Sequence, residues 1–242
     1  MPKLILTKTH DHKPANAPKY TVVLIHGIAS DSSTFDHALK KLEGLDSLRG
    51  VRFVTFDLLG SGKSLKTDEL NYDYHDQLEA LHNSIEELKL GKTPLILVGH
   101  SLGTFIVTRY AATYKKEVDK LILVSPPVYT EKDFDNPAFE KGIKLFKDTV
   151  SLKNRKILEE KAFNNSMEKI VLDRKNYQVL AGLKLPTTII YGNLDQLIAS
   201  YNMPKLLKDN PNIVAFKTEG RHGVTRDKYD LLAKLLEETL DA

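Results

Sequence analysis

The chain predicts an α/β fold with a mostly parallel central sheet, helices on both faces and a small helical cap insertion. Strand-like runs alternate with helix-like stretches along most of the 242 residues, and that alternation builds parallel sheets covered on both sides. It breaks once, over 127–186, a stretch that leans to helix, is rich in Lys and Glu, and lacks a strand with its own buried pattern. The length suits one sizeable core. The expected organisation is therefore a single domain over 1–242, with the cap at about 127–186.

Strands are expected at 4–8, 21–25, 51–57, 95–99, 121–125, 187–191 and 212–217. Most of these runs are continuously apolar and β-branched, the pattern of strands buried on both faces. Residues 72–90 place Leu78, Leu81, Ile85 and Leu88 at helical spacing, with Glu79, Glu86 and Lys89 turned outward. His75 and His82 read as surface or edge residues of that helix. A further helix is expected over 104–114. Another spans 227–240, packed through Leu231, Leu232, Leu235, Leu236 and Leu240.

Composition narrows the classes. Hydrophobic residues at 41% and charged residues at 28% are ordinary globular values. A net charge of +3 without a block of like charges gives no electrostatic reason for nucleic acid or an anionic membrane. Zero cysteines removes disulfides and thiolate metal sites. The apolar stretch within 1–10 is far shorter than a signal peptide needs, and no run approaches a membrane span, so a cytoplasmic location is expected. Asn164-Asn165-Ser166 matches a glycosylation sequon that means nothing without secretion. His10-Asp11-His12 is expected to be solvated in an exposed loop, not to hold a metal.

Gly99-His100-Ser101-Leu102-Gly103 stands between the fourth strand and the helix that follows it. This is G-x-S-x-G in a strand–turn–helix setting, which lifts the serine hydroxyl above the sheet edge at the positive end of a helix. Small residues two before and two after the serine let the strand reverse without clashes. Of eight histidines, only His222 follows Ser101. In chains using this turn the order is nucleophile, acid, histidine, so His222, in the Gly-flanked loop 219–223, fits the last slot. The acid should follow another strand end, and Asp195 does so after 187–191. Asp119 precedes its strand, Glu131, Asp133 and Asp135 lie far from one, and Glu219 is too close to His222.

One motif misleads. Gly60-Ser61-Gly62-Lys63-Ser64 reads like the tail of a phosphate-binding loop, but the first glycine of that motif is replaced by Asp57. A carboxylate there would repel the phosphate that the loop amides should cradle.

Together these segments resemble the α/β-hydrolase fold superfamily, specifically its small serine hydrolases with a short cap, over nearly the whole length. His26-Gly27-Ile28 resembles the family's H-G-x strand end, and 57–64 its D-x-x-G-x-G-x-S turn. The resemblance implies that the backbone N–H groups of Ile28 and Leu102 form an oxyanion hole, with Ser101, Asp195 and His222 catalytic and no metal or organic cofactor. His26 and His100 read as structural. The expected substrate is a small-molecule carboxylic ester of small or medium acyl size. Thioesterase, amidase, carbon–carbon bond hydrolase, cofactor-free haloperoxidase and a slow-turnover ligand receptor stay open on the same scaffold. Cap aromatics including Tyr129, Phe134, Phe139, Phe146, Phe163 and Tyr177, with Met167, are candidates for an apolar roof over Ser101.

Overall fold

The computed structural model describes residues 3–153, 159–224 and 226–240; the side chains of 151–153, 226, 227 and 240 fall outside the description, and with them the expected packing of Leu240. Among the described residues, seven strands form one sheet: β1 Thr7–His12, β2 Tyr20–Ile25, β3 Val51–Asp57, β4 Leu95–His100, β5 Lys120–Val124, β6 Thr187–Gly192 and β7 Ile213–Thr218. Their order is β1-β3-β2-β4-β5-β6-β7. Only β1 runs antiparallel, against β3; the other pairs are parallel.

Parallel strands need both faces covered, and alternate side chains divide accordingly. Val23, Ile25, Val54, Phe56, Leu97 and Leu123 pack into one cluster beneath α2 (Tyr74–Glu87) and α3 (Leu102–Thr113). Val22, Leu24, Phe53, Val98, Ile122 and Ile190 pack on the other side. There they meet Leu39 and Leu42 of α1 (Asp36–Glu43) and Leu232, Leu235 and Leu236 of α9 (Arg226–Leu240). The period-2 geometry of each strand thus feeds two cores at once.

Between β5 and β6 lie α4 (Glu131–Phe134), α5 (Pro137–Lys153), α6 (Glu160–Ser166) and α7 (Asn176–Gly182), with a wide helical turn at Met167–Val171. One more helix, α8 (Met203–Asp209), precedes β7. The described residues contain no helix long and apolar enough to cross a membrane.

The first strand differs from expectation. Leu4 to Leu6 carry the apolar signal, and Leu6 is buried, but pairing begins at Thr7 and runs to His12. An edge strand has one neighbour and a half-exposed face, so its residues need not be apolar. The same shift corrects the exposed-loop reading of His10 and His12. His10 Nε2 lies 2.5 Å from Glu43 Oε1. Between the two histidines, Asp11 accepts from Arg52 Nε at 2.8 Å and Nη2 at 2.9 Å, which holds its carboxyl well below the usual range. No metal-holding group of three His, Cys, Asp or Glu occurs among the described residues.

Carboxyl ends of the parallel strands share one edge: Ile25 pairs with Gly99, and His100 with Val124. Chain order reverses between β2 and β4, the place where open α/β sheets offer a crevice to ligands.

Candidate active site

The turn after β4 delivers Ser101 into that crevice. Its φ of 52° and ψ of −118° lie outside the usual regions for a side-chain-bearing residue, a strain of about 1–3 kcal/mol that only a well-determined surround sustains. The surround is visible. Ser101 N–H donates to Val124 O at 3.0 Å, and Thr104 N–H to Ser101 O at 2.9 Å. A Cβ on Gly99 would stand 2.6 Å from Gly103 O, and one on Gly103 would drive into Ile25 O, so backbone packs directly on backbone here.

Asp195 follows β6 on a short turn, and His222 lies in the loop after β7. Ser101 Oγ is 2.8 Å from His222 Nε2, and His222 Nδ1 is 2.9 Å from Asp195 Oδ2 and 3.1 Å from Oδ1. Three segments 27 to 121 residues apart meet in one hydrogen-bonded chain. An ionised carboxylate only accepts, so Nδ1 carries the ring proton and Nε2 is left to accept from the serine hydroxyl. The Asp195 side chain is fully buried and that of His222 23% exposed. Burial alone would raise the Asp195 carboxyl, but the hydrogen bond and charge of His222, with the Leu197 N–H, hold it below its ordinary value.

Ile28 and Leu102 border the same cavity as Ser101 and His222. Leu102 is the first residue of α3, whose leading N–H groups have no partner within the helix. The cavity has a volume of about 440 Å³ and reaches under the cap to Tyr129, Phe139, Phe146 and Met167. Its described lining holds no Asp, Glu, Lys or Arg. The other roof candidates do different things: Phe163 is buried in the core, Phe134 packs edge-on to Tyr129 and Phe139, and Tyr177 donates to Asp209. Gln196, Leu197 and Tyr201 add a wall from the loop after β6. No periodicity marks such a loop, so the sequence alone does not point to them.

Both glycine-flanking histidines serve the backbone. His26 Nδ1 donates to Gly27 O at 2.8 Å while Nε2 accepts from Leu58 N–H at 2.9 Å, which ties the end of β2 to that of β3. His100 Nε2 donates to His222 O at 3.0 Å. Burial, together with the neighbouring His222 and Lys228, pushes the His100 imidazole down to about 3 from 6.5. A base whose folded value is depressed stays neutral while the unfolded chain takes up a proton, so stability falls as pH drops from 6.5 towards 3. His26 is shifted in the same direction by burial. Between pH 6.5 and 4.5 His100 alone should remove about 2–3 kcal/mol of stability. Urea unfolding at the two pH values should show His100→Gln losing that much less than the parent; parallel losses would contradict the assignment.

The turn at 57–64 does not present its amides to a phosphate. Asp57 accepts from Ser32 N–H at 2.9 Å and Lys63 N–H at 2.8 Å, and Ser64 Oγ donates to Asp57 O at 2.5 Å. A carboxylate of the chain itself occupies the anion position.

Sequence patterning does not single out Lys228, which is 1% exposed and donates to Ser125 Oγ at 2.8 Å, Arg221 O at 2.5 Å and Gly223 O at 2.8 Å. The signal exists: position 228 lies four before Leu232 and seven before Leu235, on the apolar stripe of α9. A lysine in that stripe must find acceptors inside.

Comparisons with known proteins agree with this architecture. The family model of the alpha/beta hydrolase fold matches residues 20–156. AB hydrolase superfamily protein YisY of Bacillus subtilis is 28% identical over 250 residues, covering 90% of each chain. Lipase 1 of Psychrobacter immobilis is 24% identical over 89% of this chain and 77% of its own. Among solved structures, a carboxylesterase of the thaumarchaeon Nitrososphaera gargenis is similar with a TM-score of 0.77 at 20% identity, covering 100% of this chain and 98% of that one. The esterase EaEST from Exiguobacterium antarcticum gives 0.72 at 19% identity, over 96% and 94%. With the family model matched over 20–156, a seven-stranded sheet and a G-x-S-x-G turn at its carboxyl edge, the chain belongs to the α/β-hydrolase fold family.

Proposed function

We propose that the protein is a serine hydrolase that cleaves carboxylic esters of small or medium acyl groups through an acyl-enzyme intermediate. The observation that carries this reading is the 2.8 Å contact between Ser101 Oγ and His222 Nε2, inside a cavity whose described lining holds no Asp, Glu, Lys or Arg, backed by the buried Asp195 carboxylate. A serine hydroxyl is a weak nucleophile until a base takes its proton. In this reading His222 removes that proton as Ser101 Oγ attacks the ester carbonyl, and Asp195 fixes the imidazole tautomer and stabilises the imidazolium. The N–H groups of Ile28 and Leu102 stabilise the tetrahedral oxyanion, each worth about a hundredfold or more in rate. His222 then protonates the leaving alcohol. It next activates the water that releases the acid and regenerates Ser101. Every reacting group belongs to the chain, so the scheme calls for no cofactor.

The apolar cavity supports an uncharged acyl chain. Each methylene that enters it should add about 0.8 kcal/mol of binding, or about fourfold in kcat/KM. A p-nitrophenyl ester series from acetate upward tests the proposal. A stepwise rise followed by a fall once the chain outgrows 440 Å³ is expected, and Ser101→Ala should lose at least about 10⁵-fold of the parental rate. A flat series, or equal rates in the two proteins, contradicts it.

A further inference from the structure

We propose that Lys228 is a positioning residue for the His222 imidazole, its buried ammonium clamping the loop backbone on both sides of His222 to the end of β5. The proposal rests on the reading of Ser101, His222 and Asp195 as the reacting groups. Residues 219–224 form no strand or helix, so their carbonyls have no ladder to join and must find donors elsewhere. Four consecutive ones do. Gly220 O accepts from Leu194 N–H at 3.0 Å and His222 O from His100 Nε2 at 3.0 Å. Arg221 O and Gly223 O accept from the same atom, Lys228 Nζ.

The remaining ammonium donor goes to Ser125 Oγ. Ser125 directly follows β5, whose last residue, Val124, accepts the Ser101 N–H. A single nitrogen therefore couples the loop of the base to the strand end that also holds the backbone of the nucleophile. An ammonium is suited to this because it offers three donors from one point, whereas a guanidinium offers a planar fork.

A space-filling role alone does not account for this side chain. A buried ammonium is unfavourable unless well bonded, and a leucine or methionine would fill the volume without that penalty. Burial does push the Lys228 ammonium below its ordinary value, while Asp195 opposes the shift. What the cation supplies beyond volume is a fixed position for residues 221 and 223, and through them for the ring of residue 222. A displacement of about 1 Å at a reacting group costs about a hundredfold in rate.

Lys228→Met and Lys228→Gln in the full chain test this, with Ser125→Ala as a milder third variant. Each is assayed for kcat and KM on p-nitrophenyl butyrate, for fold by circular dichroism, and for the low-field proton resonance of the His222–Asp195 hydrogen bond. Expected for Lys228→Met are native dichroism, kcat about a hundredfold lower with KM changed less than about threefold, and a lost or broadened resonance. Lys228→Gln, which retains some donors, should fall between. If neither lysine variant folds, Ser125→Ala decides: a lowered kcat and a shifted resonance support the clamp, and parental values overturn it. A folded Lys228→Met with parental kcat and resonance overturns it outright. The resonance needs no substrate. If the parent cleaves no ester yet the signal vanishes in the variant, the clamp stands and the assigned reaction falls.

Discussion

Ser101→Ala is expected to lower kcat for ester hydrolysis by about 10⁵- to 10⁶-fold while leaving the protein folded. The size of the loss follows from what the hydroxyl does in the proposed scheme. Without Oγ no acyl-enzyme can form, and the imidazole and oxyanion donors are left to act on water alone. Residual catalysis of that kind amounts to about 10³–10⁴ over the uncatalysed reaction. The fold should survive, because removing one hydroxyl opens almost no cavity, and the Ser101 backbone bonds to Val124 and Thr104 do not involve the side chain. Alanine also inherits the φ of 52° that serine already tolerates. A variant retaining more than a hundredth of the parental rate would place the chemistry elsewhere.

Asp195→Asn should cost about 10⁴-fold in kcat, near 5 kcal/mol of barrier. The carboxylate accepts the Nδ1 proton from a fully buried position. An amide there can present its NH2 to Nδ1 instead, and the ring answers by moving its proton to Nε2. Nε2 then faces the serine hydroxyl as a donor, with no lone pair to receive the proton. The imidazolium that forms in the parent also loses its counter-charge. Steady-state kinetics on p-nitrophenyl butyrate checks this; a loss below about tenfold would mean that Asp195 neither orients nor stabilises His222.

Much of this arrangement was legible in the sequence because parallel strands buried on both faces must be continuously apolar. Runs such as Val22 to Ile25 and Leu95 to Val98 have no other way to hide their side chains, and their ends fall within a residue or two of the expected bounds. Ser101 was legible for a steric reason, since Gly99 and Gly103 are demanded by backbone-on-backbone packing that no other residue allows. His222 and Asp195 followed from chain order at strand ends. Where partners are distant and polar the reading weakens. The strand Thr7–His12 is held by Arg52, Glu43 and β3, none of which a local pattern reveals. Lys228 falls on the apolar stripe of α9, but no local pattern names Ser125, Arg221 and Gly223 as the acceptors that hold its ammonium there. The wall from Gln196 to Tyr201 lies in the short connection between β6 and α8, and its residue types carry no period to recognise.

Covalent trapping addresses the central claim most directly. A fluorophosphonate reacts with a hydroxyl only where a base and an oxyanion site activate it, so it reports the nucleophile independently of the natural substrate. Tryptic digestion after labelling gives the peptide 93–109, in which Ser101 is the sole serine. Mass spectrometry should find one adduct per chain on that residue, formed far more slowly in His222→Ala. An adduct on another residue, or full esterase activity in protein whose Ser101 is quantitatively modified, would contradict the account.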